Sequence, residues 1–398
     1  MRILRSIHSV NPAGGGPIEG IKQVARVHAA AGHETEIVSL DAPDAPWVRE
    51  CPVKVHAMGP GRTGYGYSAG FAPWLAEHRT DYDAVIVSGL WQYSGFGVWR
   101  ALRGTDTPYF VFPHGMLDPW FKRAYPFKHL KKWLYWPWAD YRVLRDACAV
   151  LFTSEEERRA ARESFRLYRC NEIVVNYGIA APAENGSAQK QAVLDRFPEL
   201  RGRRAFLFLG RIQEKKGCDL LIRAFAKAAA GDDSIRLVFA GPDQTGWIKN
   251  LQTLAAELNI AGKILWPGML SGDLKWGMLR LAETFILPSH QENFGIAVAE
   301  ALACGTPVLI SNKVNIWREI ERDEAGLVDD DDEPGTTRLL AKWLALPAER
   351  KDGMRLNARR SFHSRFEVTR AAEALIETIQ AAKRGPGYSF GGEKNSRV

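Results

Sequence analysis

Two cations and two acids, each pair set beside glycines, are the residues of this 398-residue chain whose types and spacing could do chemistry. Arg211 and Lys216 follow the apolar run Phe206 to Leu209, next to Gly210 and Gly217. A strand end that delivers an arginine and a lysine into the loop before a helix can hold a diphosphate, because both cations face the crevice outside the strand termini. A solvated basic loop explains this short stretch equally well. Farther on, Glu292 and Glu300 bracket Asn293, Phe294 and Gly295 after the apolar run Thr284 to Leu287. Gly295 permits close approach of backbone to a ligand, and from there to Cys304 the residues read as a helix ended by Gly305. Its first N–H groups would point at an anion. Glu300 would lie roughly 7 Å along that helix, suited to a ribose beyond the phosphates. Glu292 would precede the helix, nearer a reacting group. In the simpler reading both are solvated surface acids.

The first half offers a second set. Gly14, Gly15 and Gly16 follow the first apolar run and lead through Pro17 into a helical pattern of Ile21, Val24, Ala25 and His28. Glycines at such a turn let backbone N–H groups meet a ligand, and proline suits the first helical position. The run is not the G-x-G-x-x-G dinucleotide pattern, and a tight turn without a ligand accounts for it too. His114 follows the run Tyr109 to Phe112 and precedes Gly115, so it should emerge where open α/β sheets bind ligands. Ser154 with Glu155, Glu156 and Glu157 reads as a helix cap and an acidic first turn, needing no ligand.

Between these sets, residues 120–145 mix Trp120, Trp133, Trp136 and Trp138 with Lys128, Lys131, Lys132 and several arginines. Tryptophan and basic side chains together favour the headgroup layer of an anionic membrane. An internal helix with a basic face is the competing reading.

Positioning these residues requires strands that end at them. Runs Arg2 to Ile7, Glu36 to Leu40, Ala84 to Ser88, Tyr109 to Phe112 and Ile173 to Val175 alternate with helical patterns, which predicts a parallel sheet with crossover helices. A second series starts at Ala205 and runs through Ile235 to Ala240, Ile264 to Trp266, Thr284 to Leu287 and Val308 to Ile310, with helices alone after Gly326. Two doubly wound α/β units are expected, residues 1–180 and 181–365, joined by a linker at 180–189. A helix at 366–383 is expected to pack back on the first unit, and 384–398 to form a flexible tail. Such a length exceeds one core, and 46% hydrophobic with 25% charged residues suits a folded chain. Five scattered cysteines lack the spacing of a zinc or redox pair, which points to a reduced, cytoplasmic setting. The amino terminus lacks the features of a signal peptide, and no stretch approaches the ~20 apolar residues of a membrane span, so any membrane contact is expected to be peripheral. A net charge of +7 calls for an anionic partner.

Gly210-Arg211, Lys216-Gly217, the Glu292 to Glu300 segment and the following Ala301-Leu302-Ala303-Cys304-Gly305-Thr306-Pro307-Val308 together resemble the donor site of the family 4 glycosyltransferases. The resemblance implies the GT-B fold, two Rossmann-like domains facing a central cleft. It implies that Arg211 and Lys216 hold a donor diphosphate, Phe294 and Gly295 give backbone contacts, Glu300 binds ribose, and Glu292 and His114 serve the transferred sugar. Gly15 and Gly16 match the family's glycine-rich loop. It further implies a retaining transfer from a UDP- or GDP-linked sugar to a growing, lipid-linked glycan in bacterial polysaccharide or lipopolysaccharide synthesis. No cofactor or metal is expected. Trp120, Lys131, Lys132, Trp133 and Trp136 are the expected membrane or acceptor surface. A nucleotide-sugar epimerase and an inactive nucleotide- or glycan-binding protein remain as alternatives. A glycosidase would not need the phosphate-facing cations, and no nucleic-acid module is recognisable.

Overall fold

The computed structural model of the chain describes residues 1–383 other than Ala229 and contains two parallel sheets. The first is built from β1 (Arg2–Ile7), β2 (Glu34–Ser39), β3 (Val55–Ala57), β4 (Ala84–Ser88), β5 (Tyr109–Phe112), β6 (Ala149–Phe152) and β7 (Glu172–Val174). Their spatial order is β3-β2-β1-β4-β5-β6-β7. The second contains β8 (Arg204–Leu209), β9 (Ile235–Ala240), β10 (Ile264–Gly268), β11 (Thr284–Leu287), β12 (Val308–Ser311) and β13 (Gly326–Asp329), ordered β10-β9-β8-β11-β12-β13. In both sheets the order reverses beside the first strand, where β1 pairs with β2 and β4, and β8 with β9 and β11. Open sheets of this kind bind ligands outside the strand ends at that reversal.

Strands covered on both faces are mainly apolar, and β4 and β11 are buried at every position. On one face of the first sheet Leu4, Val85, Val111 and Val150 pack with Tyr93, Trp99 and Trp136. On the other, Ile3, Ile86, Phe110 and Leu151 pack with Leu375, Ile376 and Ile379 of the closing helix Val368–Lys383. The second sheet has one core, with Phe206, Phe208, Phe225, Phe239 and Trp343 among its buried side chains.

The chain forms two compact units. Residues 1–152, 161–176 and the helix from Thr369 belong to the first; residues 153–160 and 177–368 belong to the second. The expected linker is instead partly structured, because the helix Gly186–Arg196 begins inside it. Gln189 is 1% exposed there, donates to Asp273 (3.0 Å) and accepts from Arg280 (3.1 Å). Its carbonyl lies so close to Gly277 that a Cβ at 277 would stand 2.1 Å away. Three strands lacked a sequence signal. β3 is three residues long, β6 follows a helical stretch directly, and β13 starts at Gly326, where a Cβ would stand 1.9 Å from the Val308 carbonyl oxygen. The helix Ala348–Ser361 also lacks an apolar periodicity in the sequence, its residues being mostly polar. The expected tail at 384–398 lies outside the described residues. Among the described residues no helix is long and apolar enough to cross a membrane.

Ile379 is fully buried against the first sheet. Ile379→Ala is therefore expected to cost about 2–5 kcal/mol, read as a lower urea midpoint; an unchanged midpoint would show that the closing helix contributes nothing to this core.

Candidate functional site

In the second unit the chain leaves β8 through Gly210 and the exposed Arg211, then forms a single turn, Glu214–Lys216, ended by Gly217 at φ +66°. A Cβ at 217 would stand 2.2 Å from the Pro288 carbonyl oxygen, so only glycine lets this turn seat on the segment after β11. Two bonds hold it there: the His290 N–H and the Ser289 hydroxyl both donate to the Lys215 carbonyl, at 2.8 and 3.0 Å. Seated in this way, the Lys216 ammonium meets the Glu292 carboxylate directly, with side chains only 12% and 22% exposed. Burial, followed by the like charges of Lys215 and Arg211, pulls the Lys216 ammonium down to about 7, while the touching carboxylate works to keep it charged.

Glu292 is fixed from behind. Its N–H donates to the Lys313 carbonyl (2.9 Å) and its carbonyl accepts from the Asn315 N–H (3.0 Å), tying it to the segment after β12. Gly295, at φ +76°, turns the chain into the helix Ile296–Ala303, whose first N–H groups have no partner within the helix. The Phe294 ring lies 5.0 Å from Tyr177 and 5.7 Å from Phe366, in the core, which leaves only its backbone for a ligand. Glu300 accepts from Lys275 at 2.7 Å, an interaction between helices that no local spacing signals. The Ser154 hydroxyl accepts from the Glu157 N–H (3.1 Å), and Glu157 accepts in return from Thr153, a helix-capping arrangement.

In the first unit Gly15, at φ +80°, opens the helix Gly16–Ala30, with Pro17 in its first turn. The Asn11 side chain accepts from the Ala13 N–H, and Ser9 donates to Asp41 at 2.5 Å, so both serve the turn itself. His114 follows β5 in a left-handed conformation (φ +50°) and stacks on Phe112 with 5.5 Å between ring centroids. Burial, and then the charge of Arg5, pull its imidazole down to about 3. It is therefore neutral at neutral pH and can exchange hydrogen bonds with a hydroxyl, without offering a cation.

The tryptophan-rich segment divides. Trp136 is a core residue, 1% exposed and stacked 4.2 Å from Phe165, which removes it from the expected surface. Lys132 turns inward over the Trp91 ring at 4.5 Å, near the buried Asp140, whose carboxyl burial pushes up to about 7. Trp120 is partly buried and packs edge-on against Phe121. Lys131 is exposed, as are Trp133 at 49% and Phe127 at 83%, with Leu130, Leu134 and Trp138 beside them. The segment thus has an inward side, with Trp136 and Lys132, and an exposed side, with Lys131 and Trp133.

Two family models divide most of the chain between them. A model of glycosyl transferases group 1 matches residues 193–361, and one of a glycosyl transferase 4-like domain matches residues 15–178. A curated relative, D-inositol 3-phosphate glycosyltransferase of Thermomonospora curvata, is 32% identical over 187 residues, covering 44% of this chain and 42% of that protein. The chain's match thus spans less than half the length of that relative. Among solved structures, HepE of Anabaena in complex with UDP has a TM-score of 0.76 at 15% identity, over 96% of this chain and 100% of that one. WaaG, a glycosyltransferase involved in lipopolysaccharide biosynthesis, has a TM-score of 0.62 at 15% identity, over 95% and 99%.

An anion binds the charged form of Lys216, whose ammonium is drawn down to about 7. Affinity for a nucleoside diphosphate should therefore be full at acidic pH and fall above neutrality by up to about tenfold per pH unit. Lys216→Arg, which stays charged, should flatten that slope. Titration calorimetry with UDP and GDP across this range checks it; an equal slope in both proteins would remove Lys216 from the anion site.

Proposed function

The chain belongs to the GT-B glycosyltransferases of the family 4 type, and on that premise we propose that it moves a sugar from a nucleoside diphosphate to a hydroxyl of a growing, lipid-linked glycan. The observation that carries this reading is the seating of Lys216 on Glu292 beside the helix that starts at Gly295. Breaking the bond between the anomeric carbon and the diphosphate leaves charge on the departing oxygen. Arg211, Lys216 and the first N–H groups of the helix meet that charge in place of a metal ion, in a partly dry setting where preorganised donors count most. When a diphosphate engages Lys216, the Glu292 carboxylate is released to face the sugar. Glu300 then takes the ribose hydroxyls, exchanging its contact with Lys275. The neutral His114 imidazole is assigned to a hydroxyl of the transferred sugar, and Gly15 and Gly16 to backbone contacts with the phosphates. Retention of configuration is taken from the family resemblance, as are the UDP- or GDP-linked donor and the setting in bacterial surface polysaccharide or lipopolysaccharide synthesis.

The exposed face of the helix Pro126–Tyr135 supports work at the inner surface of the cytoplasmic membrane. Phe127, Leu130 and Leu134 lie at helical spacing on it, and residues 120–135 carry five lysines and arginines and no acid. An apolar face with one-signed charge beside it suits insertion into the headgroup boundary of anionic lipid.

Lys216→Ala and Glu292→Ala are each expected to lower transfer by about 100-fold or more with circular dichroism unchanged. Near-normal turnover in either removes that residue's role, and isomerised donor without any acceptor would favour the epimerase instead. Phe127→Glu is expected to reduce co-sedimentation with anionic vesicles; unchanged binding sinks the membrane reading.

A further inference from the structure

Beside that exposed face, and sharing Leu130 with it, the first unit contains a groove of about 720 Å³ lined by the helix Pro126–Tyr135 and residues 162–166. Its floor is apolar: Leu130, Trp133 and Phe165 line it, and the His129 ring stacks on Phe165 at 4.8 Å. Its rim is cationic, with Lys122, Arg162 and Arg166 against the single acid Glu163. Arg162 is held by the Glu172 carboxylate through its Nε and Nη2 atoms, whereas Lys122 and Arg166 stand exposed. Burial first, then the charges of Lys122 and Lys132, hold the His129 imidazole below its ordinary value.

We propose that this groove binds an alkyl phosphate, its chain on the Leu130, Trp133 and Phe165 floor and its phosphate between Lys122 and Arg166, as the lipid end of the acceptor. The inference rests on the lipid-linked acceptor reading above and names where that lipid is held. A free sugar would leave the apolar floor without a partner, and a neutral lipid would leave the cations without one; an amphiphilic anion satisfies both.

Titration of octyl phosphate into the full chain tests this, with octanol and inorganic phosphate as comparators. Octyl phosphate should bind at least about tenfold more tightly than either. Leu130→Glu and Arg166→Glu, both at exposed positions, should each weaken it about tenfold while melting at the native temperature. Equal binding of octanol, equal binding of inorganic phosphate, or unchanged affinity in both variants overturns the proposal. The same chain is titrated with UDP and GDP. If a nucleoside diphosphate binds and octyl phosphate does not, the groove inference fails and the transfer reading stands; the reverse result leaves the groove and sinks the transfer reading.

Discussion

The carbonyl oxygen of Pro288 occupies the space where residue 217 would carry its Cβ. Because residue 217 is glycine, the turn after β8 closes onto the turn after β11, and the Lys215 carbonyl collects two hydrogen bonds from that side. A cation is thereby carried into a partly dry position it would not otherwise hold. Lys216 there meets Glu292, and each group offsets the desolvation of the other. On the proposed reading an anionic ligand would take over the role of Glu292 for Lys216.

Parallel pairing decides why such chemistry gathers at strand ends. Strands covered on both faces carry mainly apolar side chains along their length, so most functional groups collect in the loops at their carboxyl ends. In both units a basic group at this edge is depressed by burial and nearby positive charge. In the second, burial first, and then the charges of Lys215 and Arg211, draw Lys216 down to about 7. In the first, burial and Arg5 keep His114 neutral. One edge thus carries an ammonium and the other a neutral imidazole.

The basic, aromatic segment shows how one stretch of chain serves two purposes. Asp140 accepts from the Trp91 N–H, and Lys132 lies across the Trp91 ring, drawing the inner side of the helix onto the body of the first unit. Trp136 stacks on Phe165 and completes that core. What remains outside is apolar and cationic, because the inner face has already taken the residues that pack.

Strong local signals were legible in the sequence. Ala84–Ser88, Tyr109–Phe112, Ile235–Ala240 and Thr284–Leu287 are mainly apolar runs, and each is a strand with those bounds. Arg211, Lys216, Glu292, Gly295 and Glu300 stood out because their types and spacing around strand ends are unusual in combination. Short or glycine-initiated strands such as β3 and β13 carried no such pattern, since their pairing partners, not their composition, make them strands. Lys275 beside Glu300, Asn315 behind Glu292, and the division of Trp133 from Trp136 into surface and core could be decided only by the tertiary structure. Each depends on contacts between segments far apart in the chain, and local periodicity holds no information about which distant residue will arrive opposite.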